Sequence, residues 1–520
     1  MTDEFVLTDP QEECADFAGA RKYSYLGLEM GSGKTPVALK ALQHRLTAPL
    51  VVACPTAALG MWEAAIKAHA PWYRHIKIVT SNFIKKSIGD VKRDHKTYIP
   101  GSPYCATIVS YGMLSRYAPS LSTMLSDWKT RWPGVANERR GWAPGIHLIA
   151  DEAHYLKSPD SAQSQAFFGH LAREADDITF LSGTFLPNGR PDELWTVLRF
   201  CGQTELDYDA FVDRYCMTRM VRRPGTEHYI QSITGPKAKM IAEFQSLHEG
   251  FLIVRDAASL APKRLALPPM QDIHIDVQAN DVDLRNDFPQ EWEAGGQAYL
   301  DAIIEEQRDA MGAIFKHANR VPEGGTEMDA AMSAADLNAT TYLKFLGLSK
   351  VEGTLDHLIM QHLLGETEKF VVFAWHKNVL THMAEKLRAS GFHVITIRGS
   401  DPARARYARA EEFQAAKGPT VLLGNVKAAG TALTLTSAHI CYIIETSWVP
   451  SDTAQAVKRI HRIGQVKPCT IFWVSVAGDD VERRMARTIA AKVRSINKLS
   501  GKPTKPLLSG KANEIFTRVR

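Results

Sequence analysis

Three stretches of this chain carry charged and hydroxyl side chains at spacings suited to phosphate chemistry. The run QAVKRIHRIGQ, Gln455 to Gln465, holds Arg459 and Arg462 three residues apart. On a helix that spacing puts both guanidinium groups on one face. Two forked cations there, with glutamines at both ends, can clamp a polyphosphate or the charge that develops during phosphoryl transfer. A solvated basic helix would show the same pair, so the reading needs company. Near the other end lies LEMGSGKT, Leu28 to Thr35. Gly31 and Gly33 let the backbone approach a phosphate, Lys34 reaches the terminal phosphates, and the Thr35 hydroxyl can ligate Mg²⁺. Leu28 stands where the strict phosphate-loop pattern has glycine, so this is a variant. In HLIADEAHYLKSP an apolar run delivers Asp151 and Glu152 at its end. Adjacent carboxylates at a strand end divide labour: Asp151 would hold Mg²⁺ through water, and Glu152 would orient and deprotonate an attacking water. A loop pair of solvated acids is the alternative, and the stretch LSGT, Leu181 to Thr184, about one strand–helix unit later, argues against it.

These residues need a scaffold that brings them together. Short apolar runs alternate with helical stretches in two blocks. The first has strands expected at Leu50 to Ala53, Ile76 to Val79, Thr107 to Val109, His147 to Ala150 and Thr179 to Leu181. The second has them at Phe370 to Ala374, Val394 to Ile397, Val421 to Leu423, Cys441 to Ile444 and Ile471 to Val474. Strands separated by helices predict parallel sheets with covered faces, hence two α/β domains. Ligands of such sheets sit beyond the carboxyl ends of the strands. Pro55 and Thr56, Asp151 and Glu152, Ser182 to Thr184, and Trp375 to Lys377 all fall there. The stretch between the blocks, about Asp192 to Lys350, reads as irregular and partly helical. Within it, Tyr299, Ile303, Ile304, Ala310, Met311, Ile314 and Phe315 recur at helical spacing and predict an amphipathic helix packed on a lobe.

In order, LEMGSGKT, VVACPTAAL, IVSYGML, DEAHYLKSP, LSGTFLPN, KFVVFAWHK, GTALTLTSA and QAVKRIHRIGQ resemble the motifs of superfamily-2 helicase-like ATPases. RIHRIGQ and FLIVR, Phe251 to Arg255, narrow the resemblance to the SWI/SNF-like branch of DNA translocases, and within it to the compact annealing-helicase type. It covers roughly Leu7 to Val476. It implies two RecA-like parallel-sheet lobes with helical insertions between them: residues 1–200 for an ATP-binding lobe, 201–350 for the insertions, 351–480 for the helicase C-terminal lobe, and 481–520 for a basic tail. The resemblance implies that ATP binds between the lobes with Mg²⁺ on Thr35 and Asp151. The nucleotide would meet Gln11, Gly31, Ser32, Gly33, Lys34, Thr35, Gly430 and Gln455. Lys34, Asp151, Glu152, Arg459 and Arg462 would carry catalysis, the two arginines as fingers. Gln11 matches a position that reads adenine, and Ser182, Gly183 and Thr184 match the motif coupling the nucleotide site to DNA. Thr56, Ser110, Tyr111, His376, Lys377, Arg398, Ser400 and Thr434 sit in motifs that grip the phosphate backbone. Hydroxyls and cations suit that task because phosphate contacts position a strand without reading its sequence.

Four positions depart from the family pattern: Leu28 for an acidic residue, Phe185 for proline, Ala432 for glycine and Val449 for asparagine. None removes a catalytic charge, so hydrolysis is expected to survive. The implied activity is a DNA-stimulated ATPase that translocates on double-stranded or forked DNA, remodelling forks or displacing bound proteins. A nucleotide-gated DNA- or polymerase-binding protein with little turnover is the alternative. An RNA-directed helicase is a third, disfavoured by RIHRIGQ and FLIVR.

Composition agrees. At 520 residues, with 45% hydrophobic and 23% charged residues, the chain is an ordinary globular protein of about three domains. No apolar run approaches the ~20 residues of a membrane span, and the polar start MTDEF is not that of a signal peptide. Seven cysteines without a CxxC pair read as buried thiols in a reducing compartment, not as a zinc or disulfide framework. A monomeric cytoplasmic enzyme of bacterial or viral origin is expected, with no membrane contact and a DNA-bound protein as a candidate partner. The net charge of +5 conceals a division: Asp272 to Asp336 has fifteen acidic against four basic residues, and Val481 to Arg520 has eleven basic against two acidic. The basic end either adds phosphate contacts or is simply solvated.

Overall fold

The computed structural model describes residues 7–45, 49–79, 105–131, 145–222, 229–260, 267–318, 339–365, 367–426, 433–447, 449–462 and 464–500. The chain divides into two compact units: Met1–Leu186 with Asp192–Phe211 and Ala242–Ala266, and Pro187–Pro191 with Val212–Ile241 and Leu267–Arg520.

The first unit is built on seven parallel strands: β1 (Tyr23–Leu28), β2 (Leu50–Cys54), β3 (His75–Ile78), β4 (Cys105–Ser110), β5 (His147–Asp151), β6 (Asp177–Leu181) and β9 (Leu252–Arg255). Their order is β3-β4-β2-β5-β6-β1-β9. Every residue of β2, β4, β5 and β6 is buried, which requires cover on both faces of the sheet. Alternate residues of β2 (Leu50, Val52, Cys54) enter a core with Val37 and Leu39 of helix α2 (Lys34–Ala41). Cys14 and Ala18 of α1 (Asp9–Gly19) and Trp62 and Ile66 of α3 (Leu59–His69) complete that face. On the other face Tyr25 stacks on Phe180 at 6.0 Å, and Phe185 and Phe251 meet it edge-on at 6.4 Å.

The second unit has six parallel strands: β10 (Met270–Val277), β11 (Lys369–Ala374), β12 (His393–Ile397), β13 (Thr420–Asn425), β14 (Ile440–Ile443) and β15 (Cys469–Val476). They lie in the order β10-β15-β14-β11-β13-β12. Phe370, Val372 and Ala374 of β11 enter one core while Val371 and Phe373 enter the other, the period of two that a strand buried on both faces must show. β7 (Cys216–Arg222) and β8 (Tyr229–Pro236) form a separate antiparallel ribbon with a register shift between Met217 and Thr218.

The stretch between the expected blocks is therefore more than irregular and helical. It gives β9 to the first sheet and β10 to the second. Its long helix, Pro289–Ala318, is kinked at Gly296. There the phase differs from expectation: Tyr299 is 45% exposed, whereas Leu300 and Gln307 are buried and Ile304 packs beside them. The neighbouring helix Ala339–Ser349 sets that phase, because Gln307 Oε1 accepts the Tyr342 N–H at 2.9 Å. The side chains of Ala310, Met311, Ile314 and Phe315 lie outside the described residues. All seven cysteines are buried, and none is in a disulfide. Among the described residues, no helix is long and apolar enough to cross a membrane.

Candidate functional site

In the first unit the phosphate-loop variant joins the end of β1 to the start of α2. Gly31 (φ 78°) and Gly33 (φ 83°) are both left-handed, the conformation that favours glycine, and Gly33 caps the helix. Pro36 sits in the first turn of α2, where its missing N–H costs nothing. Gln11 is buried beneath this loop. Thr8 and Gln11 form a capping box at the head of α1, with Thr8 N–H donating to Gln11 Oε1 at 2.9 Å. The same amide donates through Nε2 to the Ser32 carbonyl at 2.8 Å. A Cβ on Gly33 would stand 2.8 Å from that Nε2. Gln11 therefore ties a helix cap to the phosphate loop.

The acid pair follows β5. Asp151 Oδ2 accepts from Trp62 Nε1 at 2.8 Å, and Oδ1 accepts from the Glu152 N–H at 3.0 Å. Burial and then the Glu152 charge push the Asp151 carboxyl up to about 6, against the downward pull of Lys34 and the Trp62 bond. Glu152 is left-handed (φ 50°, ψ 52°), the one non-glycine with positive φ among the described residues. Such a backbone costs energy and persists only where its surroundings fix it. The surroundings here are Lys34 Nζ, 3.5 Å from Glu152 Oε1, and on the other oxygen Ser182 Oγ at 3.4 Å and His154 Nδ1 at 3.3 Å. Ser182 Oγ also accepts the Thr184 N–H at 3.0 Å and lies 3.1 Å from His154 Nδ1. A Cβ on Gly183 would meet Met30 Cγ at 2.7 Å and Lys34 Nζ at 3.0 Å. The structure thus brings Gln11, Gly31, Ser32, Gly33, Lys34, Asp151, Glu152, Ser182, Gly183 and Thr184 into one neighbourhood, with Thr35 in the first turn of α2. Among the described residues, the hydroxyls of Ser32 and Thr184 are buried there without a hydrogen-bond partner.

The residues matched to DNA contacts fall in two kinds of place. Thr56, just past β2, is exposed, as are Lys377, Arg398, Ser400 and Thr434 in the second unit. Ser110 and Tyr111 are buried: Ser110 Oγ accepts the Met113 N–H at 3.3 Å, and Tyr111 Oη donates to the Asp151 carbonyl at 2.8 Å. His376 is mostly buried against Glu445.

The arginine run departs from its expected geometry. Gln455 lies on the helix Pro450–Val457, but that helix ends before either arginine. Arg459 N–H donates to Ala456 at 3.1 Å and Ile460 N–H to Val457 at 3.2 Å, a turn that breaks the helical register. The cause is Gln465, whose buried amide donates to the carbonyls of Thr436 (3.2 Å), Ala438 (2.8 Å) and Ile460 (3.0 Å) and accepts the N–H groups of Val466 and Lys467. Gln465 is a folding residue in this structure, not one end of a phosphate clamp. Arg462 Nη1 donates to the Leu433 carbonyl at 3.0 Å, and burial pulls its pKa down. Gly430 and Ala432 lie outside the described residues.

Thr35 and Asp151 offer a hydroxyl and a carboxylate, the hard oxygen ligands that Mg²⁺ takes. The fit is supported by Asp151 itself, whose burial disfavours the charge that a cation would restore. Sequence reasoning did not single out Trp62, His154 or Glu445. A buried tryptophan N–H needs a partner, so Trp62 on the apolar face of α3 carried a readable signal.

Residues 351–464 match the helicase conserved C-terminal domain. Over 452 residues the chain is 26% identical to the mouse (Mus musculus) "DNA annealing helicase and endonuclease ZRANB3", covering 86% of this chain and 36% of that protein. It is 26% identical over 471 residues to the Xenopus tropicalis "SWI/SNF-related matrix-associated actin-dependent regulator of chromatin subfamily A-like protein 1", covering 90% and 42%. The chain thus spans well under two thirds of the length of these relatives. A solved chain described as "Sulfolobus solfataricus SWI2/SNF2 ATPase core in complex with dsDNA" aligns over 99% of this chain and 97% of its own, at 17% identity and a TM-score of 0.37. That score is low, and the fold rests on the strand orders above.

Proposed function

We propose, from the premise that this is an SNF2-type, superfamily-2 helicase-like chain, that it hydrolyses ATP to ADP and phosphate in order to translocate on double-stranded DNA. Its work is remodelling forks or displacing bound proteins. The observation that carries the reading is the meeting of Lys34, Glu152 and Ser182 at the carboxyl ends of β1, β5 and β6, the place where a parallel sheet takes its ligand.

The glycines at positions 31 and 33 and the first turn of α2 would cradle the phosphates. Lys34 would leave Glu152, a partner at the outer limit of hydrogen bonding, for the terminal phosphates. That exchange frees the Glu152 carboxylate to orient a water and take its proton. Thr35 and Asp151 would hold Mg²⁺, whose charge offsets that of the phosphates. Ser182 and His154 fix the Glu152 side chain, so a shift of the loop after β6 would reach the base directly. Arg459 and Arg462 would supply charge to the transition state, and Thr56, Lys377, Arg398, Ser400 and Thr434 would bear on the DNA backbone. The names of the relatives, an annealing helicase and a chromatin regulator, support DNA as the polymer.

The test is ATP turnover without nucleic acid and with single-stranded, duplex and forked DNA and RNA, with Lys34→Ala as the blank. Duplex or forked DNA is expected to stimulate the wild-type chain. Glu152→Gln is expected to lose about 10²- to 10⁴-fold in turnover, the range for a lost general base, while keeping ATP and DNA binding. Turnover at the level of the Lys34→Ala blank under every condition would overturn the reading and leave a nucleotide-gated binder.

A further inference from the structure

We propose that Glu445 is a positioning residue: it fixes the proton on Nδ1 of His376, so that the imidazole meets a DNA backbone phosphate through its Nε2 edge. The inference rests on the DNA-translocase reading and adds to it a residue that no motif singled out.

Glu445 lies two residues past β14, with its side chain only 7% exposed. Its Oε2 accepts the backbone N–H groups of Trp375 and His376, both at 2.8 Å, and its Oε1 lies 2.6 Å from His376 Nδ1. An ionised carboxylate can only accept, so the proton of that last bond belongs to Nδ1. Nε2 has no partner among the described residues, and the His376 side chain keeps 14% of its surface exposed. Lys377, the next residue, is exposed and opens the helix Lys377–Ala389.

The surroundings leave this pair little freedom. Ile444 N–H donates to the Phe373 carbonyl at 3.0 Å, and the buried Lys350 ammonium donates to the Ile444 carbonyl. Asn425 Nδ2 holds the Trp375 carbonyl at 2.5 Å. Gly347 leaves the room the carboxylate needs, since a Cβ there would stand 2.5 Å from Oε1. A carboxylate at a helix N-terminus is favoured by the helix dipole, and two backbone N–H groups would satisfy that role alone. The third bond, to the imidazole, does something further. A ring protonated only on Nδ1 presents a lone pair at Nε2, which a phosphate oxygen would repel. A phosphate therefore binds only when Nε2 carries a proton as well, and the ring between carboxylate and phosphate is an imidazolium. The helix dipole opposes a cation at this N-terminus, and Glu445 is the counter-charge that permits it.

Glu445→Gln separates this role from a structural one. The glutamine oxygen can still accept both backbone N–H groups, but its NH₂ then faces Nδ1. The imidazole must turn its proton to Nε2 and stay neutral, so shape is kept and one cation is lost. The experiment is salt titration of fluorescence anisotropy, with a labelled duplex and the full chain as wild type, Glu445→Gln, His376→Ala and the double variant. Each single variant is expected to bind roughly tenfold more weakly and to lower the slope of log K against log salt by about 0.9, the loss of one cation from the phosphate contacts. The double variant should match the singles. His376→Ala leaves the backbone bonds to Glu445 in place, so it carries the slope test if Glu445→Gln fails to fold. An unchanged slope in a folded Glu445→Gln or in His376→Ala, or effects that add in the double variant, would overturn the proposal. Absence of salt-dependent duplex binding by the wild type would remove the translocase reading together with this one.

Discussion

Replacing Trp62 with phenylalanine isolates one hydrogen bond to the acid that would hold the metal. Trp62 is fully buried, and its N–H spends itself on Asp151 Oδ2 at 2.8 Å. In protein free of nucleotide and metal, burial and Glu152 raise the Asp151 carboxyl from 3.8 to about 6, while Lys34 and Trp62 oppose the rise. Because the folded value lies above the unfolded one, this group favours the fold fully below about pH 4 and loses that contribution as pH climbs through about 6. The Trp62 bond works against the loss, since it is strongest to the charged carboxylate. A hydrogen bond to a charged group contributes about 1.5–3 kcal/mol and one to a neutral group about 0.5–1.5. Trp62→Phe should therefore cost roughly 1–1.5 kcal/mol more at pH 8, where Asp151 is ionised, than at pH 5, where it is mostly protonated. The smaller ring adds a packing loss of about 1–2 kcal/mol that is the same at both pH values. The assay is thermal unfolding of the first unit with chelator present and nucleotide absent, comparing variant with wild type at each pH. At ~2–4 °C per kcal/mol for a unit of this size, the deficit in melting temperature should be about 2–6 °C larger at pH 8. An equal deficit at both pH values, or a larger one at pH 5, would refute the assignment of this bond to the ionised acid.

Gly33→Ala forces a left-handed alanine, which costs about 1–2 kcal/mol, and sets a Cβ 2.8 Å from Gln11 Nε2. Binding of a fluorescent ATP analogue should weaken at least tenfold, whereas Gly60→Ala, whose Cβ meets nothing within 4 Å, should bind as wild type. Gln465→Leu removes the partner of three carbonyls and two N–H groups in the second unit. With buried polar groups costing about 1–3 kcal/mol each when left unpaired, urea unfolding should show a loss of about 3 kcal/mol or more. Wild-type stability in that variant would contradict the folding role given to this glutamine.

The central strands were readable because each buries both faces and so appears as an uninterrupted apolar run: LVVAC for β2, HLIAD for β5, KFVVFA for β11. β1 and β10 were harder. YSYLGL mixes serine and glycine into its run, and MQDIHIDV interleaves apolar with polar residues, as an edge strand can. Loop residues near the site could be named from their motif, but their conformation could not. Whether Arg459 and Arg462 share a helix face is decided by an amide at Gln465 reaching carbonyls near position 436, a contact that local spacing does not encode. The phase of the helix carrying Tyr299 was likewise set by its neighbour through Gln307. Trp62 and Glu445 were missed for a related reason: each acts through a partner far along the chain, Asp151 for one and His376 for the other.

Both sheets nevertheless repeat one arrangement. Past the end of a buried central strand stands an acid, Glu152 after β5 and Glu445 after β14, where sheet pairing stops and other donors come within reach. Each acid faces a nitrogen-bearing side chain suited to phosphate, Lys34 for one and His376 for the other. The two pairs differ in closeness, and the difference matches the work proposed for each. Lys34 lies 3.5 Å from Glu152, a contact weak enough to yield to a polyphosphate. Such yielding is needed, because Glu152 must be released to act on water. His376 lies 2.6 Å from Glu445, which in turn holds two backbone N–H groups, so this pair stays closed when a phosphate arrives at Nε2. A base has to be freed by its ligand, whereas a grip has to survive it. On this argument Glu152→Gln should spare nucleotide binding, and Glu445→Gln should weaken DNA binding.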